Sequence, residues 1–127
     1  KKEVILRLEK KQTSEGHHVN VVDDPRKGKL SKSIFYLVKQ MQKKSLLSAQ
    51  IITGRTHQIR VQLAFLGFPV LGDDKYGDFA LNKKLHSSGL KRMFLHAHKL
   101  SFFHPFTEEK VELTAELPIE LGKFFDE

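Results

Sequence analysis

The chain has no cysteine among its 127 residues, which excludes a disulfide framework and any thiolate metal site. It also lacks an apolar run near the roughly 20 residues that a membrane-spanning helix needs, which excludes a membrane span. The opening residues, Lys-Lys-Glu-Val, are followed by no apolar signal segment. We therefore expect a reducing, cytoplasmic location.

Acidic residues are also scarce, with 15 Asp and Glu against 22 Lys and Arg and a formal net charge of +7. This imbalance predicts an anionic partner, and nucleic acid is favoured over lipid because no basic amphipathic helix stands out. The alternative is a basic protein whose lysines are simply solvated.

The remaining composition is that of a globular protein with one core, at 39% hydrophobic and 29% charged residues.

Alternation of apolar residues predicts a strand at residues 4–8. Residues 10–32 predict a polar loop, with a short strand at 19–22 as an option. Two hairpins are predicted, at 33–41 with 45–52 and at 93–103 with 110–117. Helices are predicted at 56–66, 78–90 and 118–125, the first with Thr56 or a neighbour as N-cap and Gly67 as its stop. The fold class is α+β, a mixed and largely antiparallel sheet flanked by a few helices. Because the first strand starts almost at residue 1, we expect the chain to be part of a larger domain.

Polar side chains are dense between residues 55 and 60. On a helix from residue 56, His57 and Arg60 share a face while Ile59 points to the core, so Arg60 would be half-buried. A buried guanidinium needs a carboxylate or phosphate partner, and we expect none from nearby sequence. Arg55 and the free amides of the helix start would suit a phosphate. The alternative is that both arginines are ordinary surface residues.

Residues 53–61 read TGRTHQIRV, and GFP, GDDKYG, LHA and HP follow at 67–69, 72–77, 95–97 and 104–105. These blocks, in this order, resemble the C-terminal half of RluA-type pseudouridine synthases, and most closely the RluC-like branch that modifies the large ribosomal subunit. The resemblance implies a cofactor-free isomerisation of uridine in RNA, with 23S ribosomal RNA as partner and a monomeric intact enzyme.

In that family an aspartate of a His-Arg-Leu-Asp block acts on the nucleoside, and a tyrosine stacks on the base. Neither the His-Arg-Leu-Asp block nor the usual motif of that tyrosine occurs in this sequence. We therefore expect these 127 residues to be inactive by themselves. The resemblance implies that Arg60 pairs with the missing aspartate as the catalytic residue. It further implies RNA contacts and a base pocket, which we assign to Arg55, His57, Gln58 and Lys75, and to Tyr76, Leu95 and His96, respectively. Tyr76 has an alternative, which is to pack the turn after Gly72.

Two other functions are compatible with the sequence, a metal site and a non-catalytic RNA-binding module. His96 and His98 lie two apart on a predicted strand, and His57 or His104 would complete a three-imidazole zinc site. No carboxylate accompanies them at a ligand spacing, and we predict no metal. The other function is a non-catalytic RNA-binding module formed by the basic residues of 10–32 and the block at 53–60.

Overall fold

The structure is a computed structural model that describes residues 1–123. Its strands are β1 (Lys2–Thr13), β2 (Gly16–Val22), β3 (Lys29–Gln40), β4 (Ser45–Ile51), β5 (Lys99–Phe103) and β6 (Lys110–Thr114), and its helices are α1 (Gln58–Phe65), α2 (Phe79–Ser87) and α3 (Ile119–Gly122). All strand pairs are antiparallel, and the predicted α+β class is confirmed. Within residues 1–123, no helix is both long and apolar enough to cross a membrane.

The chain forms two compact units, Lys1–Met93 and Phe94–Glu127. The first holds a four-stranded sheet in the order β2-β1-β3-β4 together with α1 and α2, and the second holds the β5-β6 hairpin and α3. Alternate residues of a strand point to the same face, and this places Val4 and Leu8 of β1 on the buried side. Leu8, Val19 of β2 and Val61 of α1 form one buried cluster. Helix α1 therefore covers the part of the sheet formed by β1 and β2.

The prediction of a polar loop over residues 10–32 is wrong for most of its length. β1 continues to Thr13, β2 takes Gly16–Val22 and β3 begins at Lys29. The strands are extended by backbone pairing, for which polar side chains are no obstacle. Exposed pairs such as Gln12 with His17 show no alternation of apolar residues from which a strand could be predicted.

Helix α1 begins at Gln58, two positions after the predicted start, with His57 as its N-cap. It ends at Phe65, one residue before the predicted end. Gly67 stops the helix as predicted, because the amides of Gly67 and Phe68 donate to the carbonyls of Ala64 and Leu63 in a Schellman motif. The predicted second helix and second hairpin are present, both shorter than expected. The predicted closing helix corresponds to α3, and its residues 124–125 lie outside the described part of the chain.

Candidate functional site

Arg60 of α1 is held by a buried carboxylate of the turn that follows the helix. Its Nε donates to Asp73 Oδ2 at 2.9 Å and its Nη2 to Asp73 Oδ1 at 2.8 Å. The Asp73 side chain is 0% exposed and that of Arg60 14%. The inward position predicted for Arg60 is confirmed, but the prediction that no nearby residue supplies its partner is wrong. The chain reverses after α1 and brings Asp73 back to the helix.

Asp73 is fully occupied in this arrangement, because its Oδ1 also accepts from the backbone amides of Lys75 at 2.9 Å and Tyr76 at 3.1 Å. Burial raises the pKa of Asp73, but the hydrogen bonds from Arg60 and the two amides outweigh it and hold that pKa below its ordinary value. The hydrogen bond to Asp73 raises the pKa of Arg60. The pair is therefore ionised and carries no net charge.

The turn itself is fastened by Asn82 of α2. The Asn82 Oδ1 accepts from the Gly72 amide and its Nδ2 donates to the Asp73 carbonyl, both at 2.8 Å. Gly72 has φ +80°, and a Cβ there would lie 2.5 Å from the Arg92 carbonyl oxygen, so no larger residue fits without movement. Sequence reasoning missed Asn82, because a single Asn in a helix has no pattern that points to a distant turn.

Arg60 also forms part of the wall of an open cleft of about 510 Å³, which Asp74, His86, Lys91 and Arg92 line as well. Its Nη1 has no hydrogen-bond partner among residues 1–123 and is not among the buried unpaired atoms of that part of the chain. Asp74, with a side chain 94% exposed, places Oδ1 3.7 Å from the Arg60 Nη2. One edge of the guanidinium is thus open to a further acceptor.

Tyr76 packs the turn, which is the alternative to base stacking. Its ring packs against the buried cluster of α1, β1 and β2, the guanidinium carbon of Arg60 lies 5.2 Å from its centroid, and the His18 ring centroid is also 5.2 Å away. Its hydroxyl accepts from the Val19 amide at 2.9 Å and lies 2.8 Å from His57 Nδ1. These contacts favour the packing alternative for Tyr76, and its base-pocket role stays a prediction.

Gln58 has a structural role in place of the predicted RNA contact. It is 4% exposed. Its Oε1 accepts from the Thr53 hydroxyl and the Arg55 amide, and its Nε2 donates to the Lys32 carbonyl and the Ser33 hydroxyl. This amide therefore ties the start of α1 to β3, and its polar atoms are all in use.

The other predicted RNA contacts are more accessible. Arg55 is exposed, and its Nε donates to the Leu30 carbonyl at 3.0 Å. This contact fixes the side chain at the sheet, and its terminal nitrogens have no partner among residues 1–123. Lys75 donates through Nζ to the His17 carbonyl at 2.6 Å, so its ammonium is tied to β2. Their RNA contacts stay predictions.

Leu95 and His96 lie in the second unit, and their pocket role stays a prediction. His96 Nε2 and His98 Nδ1 each lie 2.9 Å from the Ala115 carbonyl oxygen. This shared contact already engages a ring nitrogen of each. In the part of the chain that the structure describes, no group of three or more His, Cys, Asp or Glu residues is placed to hold a metal ion.

Comparison with known proteins identifies the family. Residues 2–65, about half of the chain, match the RNA pseudouridylate synthase family. A ribosomal large subunit pseudouridine synthase C from Haemophilus ducreyi is 42% identical over 110 residues, which is 87% of this chain and 34% of that protein. The protein of the same name from Vibrio vulnificus is 41% identical over 96 residues, 76% of this chain and 30% of that protein.

Among solved structures, human RNA pseudouridylate synthase domain containing 1 matches with a TM-score of 0.65 and 25% identity, covering 93% of this chain and 49% of the human chain. The chain thus spans about a third of the length of the curated relatives. Since the family match covers half of its residues, including α1 with Arg60, the chain belongs to the RNA pseudouridylate synthase family.

Proposed function

We propose that this chain is the C-terminal part of the catalytic domain of an RluC-like synthase, and that the complete enzyme converts uridine to pseudouridine in 23S ribosomal RNA. The support is family membership together with relatives named ribosomal large subunit pseudouridine synthase C at about 40% identity. The enzyme acts as a monomer in the cytoplasm in this proposal, without a cofactor.

The observation that carries the proposal is the open edge of Arg60 at the cleft. In the isomerisation the C1′–N1 bond breaks and a C1′–C5 bond forms, while C5 loses a proton and N1 gains one. The family's aspartate, which the 127 residues do not contain in a His-Arg-Leu-Asp block, comes from sequence outside this chain. It accepts a hydrogen bond from Arg60 Nη1 and is thereby aimed at the nucleoside.

In this proposal Arg60 pairs with the family's aspartate mainly to direct it. Asp73 already balances the charge of Arg60, so Arg60 directs the second carboxylate by hydrogen bonding and contributes little net positive charge to its ionisation. Asp73 fixes the guanidinium plane, since two donors are bound to one carboxylate. Arg60 is thus a positioning residue, because the binding of its Nε and Nη2 to Asp73 fixes the direction of its Nη1.

RNA is held mainly by charge. A uridine must leave its stack before its base can be reached, and this is easiest in loops and ends. Arg55, exposed beside the start of α1, is the best placed phosphate contact, within a chain of net charge +7.

The test uses the complete enzyme and a fragment of 23S ribosomal RNA, with pseudouridine measured by mass spectrometry. Arg60→Met is expected to lower the rate by about a hundredfold or more, comparable to losing one essential donor, while RNA affinity stays within a few fold. Lys110→Met is the control, because the Lys110 side chain is 57% exposed and forms an ion pair with its neighbour on β6, Glu112. Because Arg60→Met leaves Asp73 unpaired, Arg60→Met/Asp73→Asn is measured beside it. A folded Arg60→Met enzyme with the control's activity would refute the proposal.

A non-catalytic RNA-binding module is the second candidate, favoured by the absence of a His-Arg-Leu-Asp block from the 127 residues. The complete enzyme separates the two candidates, because a module would bind the RNA fragment without forming any pseudouridine.

A further inference from the structure

His57 has a backbone conformation that few residue types accept. It is the N-cap of α1 at φ 53° and ψ 24°, in the left-handed region, where His, Asn and Asp are enriched among non-glycine residues and β-branched residues are rare. Its carbonyl accepts from the Val61 amide at 2.9 Å. This conformation connects the polar segment before α1 to the helix, and it sets the direction in which the His57 side chain leaves the backbone.

A chain of hydrogen bonds favours one position for the proton of the neutral His57 ring. The Val19 amide donates to the Tyr76 oxygen at 2.9 Å, and that oxygen lies 2.8 Å from His57 Nδ1. The Tyr76 oxygen accepts from Val19, so its own proton needs a separate acceptor, and Nδ1 of His57 can serve as one. If Nδ1 carried a proton, the Tyr76 hydroxyl proton would have no acceptor among residues 1–123. This arrangement favours a neutral ring with its proton on Nε2.

The surroundings of His57 disfavour a second proton. Burial lowers the pKa of His57, and the positive charges of Arg60 on α1 and Lys75 in the turn lower it further. His17 of β2 acts in the same direction, and Asp73 opposes it. His57 Nε2 has no partner in the described residues and is not among their buried unpaired atoms, so it is accessible to a ligand.

We infer that His57 offers substrate RNA a neutral Nε2–H donor of fixed tautomer, whose partner is an uncharged oxygen such as a base carbonyl or a ribose hydroxyl, and that Tyr76 positions it. This rests on the proposed function, because it assigns a contact to the same RNA. It gives the RNA contact predicted for His57 a specific form, and it leaves phosphate contact to residues such as Arg55. The contact adds specificity for a nucleotide edge without adding charge.

The tautomer is tested without RNA, by nitrogen-15 NMR of the histidine rings of the complete protein at pH 7. We expect His57 to show a protonated Nε2 and an unprotonated Nδ1, and Tyr76→Phe to give mixed tautomers. A doubly protonated His57, or a proton on Nδ1, in the wild-type protein would overturn the inference. The wild-type spectrum decides this even if Tyr76→Phe fails to fold.

The RNA contact is tested by affinity for the 23S fragment as a function of salt. His57→Asn, which tolerates the left-handed backbone, is expected to weaken binding about threefold to tenfold, the effect of one neutral hydrogen bond, with an unchanged salt slope. Arg55→Ala is the matched variant and should lower the slope by about one phosphate contact. Loss of about one contact from the slope in His57→Asn, or unchanged affinity, would contradict the inference. Both tests are independent of isomerisation, so their failure is distinguishable from failure of the proposed function.

Discussion

Two regions of the first unit reverse the usual relation between polarity and burial. In α1 and the turn after it, Gln62 and Asp73 are 0% exposed, whereas Leu37 of β3 and Ile51 of β4 are 58% and 53% exposed. The polar region is ordered by directed hydrogen bonds, from Arg60 to Asp73 and from Asn82 to the turn. The exposed apolar side chains of the β3–β4 pair lie outside the buried core.

The difference shows where the geometry of the site comes from. Hydrophobic burial is non-directional, and it fixes the packing of α1 on the sheet without fixing the angle of a guanidinium. The bidentate contact of Arg60 with Asp73 fixes that angle. Substitutions of the buried polar residues should therefore be more harmful than substitutions of the exposed apolar ones.

The largest effect on stability is expected from Arg60→Met. It leaves the buried Asp73 carboxylate without its cation, and breaking one side of such a pair costs about 3–5 kcal/mol. Urea unfolding of the complete protein measures it. Arg60→Met/Asp73→Asn should recover part of the loss because no unpaired charge remains, and a double variant less stable than the single one would show that the pair is not coupled in this way.

A smaller loss is expected from Gln58→Leu, which leaves the Arg55 amide and the Ser33 hydroxyl without the partners they have in the structure. An unsatisfied buried group costs about 1–3 kcal/mol. Gln42→Leu, at an exposed position, is the control for the change of side chain. If Gln58→Leu lowered RNA affinity while leaving the unfolding midpoint unchanged, Gln58 would be an RNA contact after all.

Acid sensitivity gives a finer test of the polar region. The folded-state pKa of Asp73 is below its ordinary value, so Asp73 contributes stability above the unfolded pKa of about 3.9, and that contribution declines as the pH falls through the folded pKa. Urea midpoints between pH 3 and pH 6 should fall toward acid in the wild-type protein and fall less in Asp73→Asn. Equal pH dependence in the two proteins would argue against the assigned ionisation.

The smallest effect is expected at the other region. Leu37→Ser removes an apolar side chain that is already 58% exposed, and surface substitutions of this kind usually change stability by about 0.5 kcal/mol or less. Unfolding of Leu37→Ser and Gln58→Leu under the same conditions compares the regions directly. A larger loss for Leu37→Ser would invert the comparison.

The regions also differ in how far the sequence could predict them. The β3–β4 hairpin and α1 could be predicted, because alternation of apolar residues, a 3.6-residue period and Gly67 are local signals. The pairing of Arg60 with Asp73 was not, because it depends on a chain reversal that brings together residues 13 apart. Gln58 and Gln62 were also missed as buried groups, since glutamine is mostly a surface residue and only tertiary partners such as Ser31 and Ser33 show otherwise.

The central claim is that Arg60 acts through the direction of its donors, with one edge on Asp73 and the other facing the cleft. Arg60→Lys tests it most directly, because lysine keeps a positive charge beside Asp73 but lacks the planar fork. Pseudouridine formation by the complete enzyme is measured alongside its unfolding midpoint. The account predicts a folded protein whose rate falls by about a hundredfold or more. A folded Arg60→Lys enzyme with the wild-type rate would contradict it.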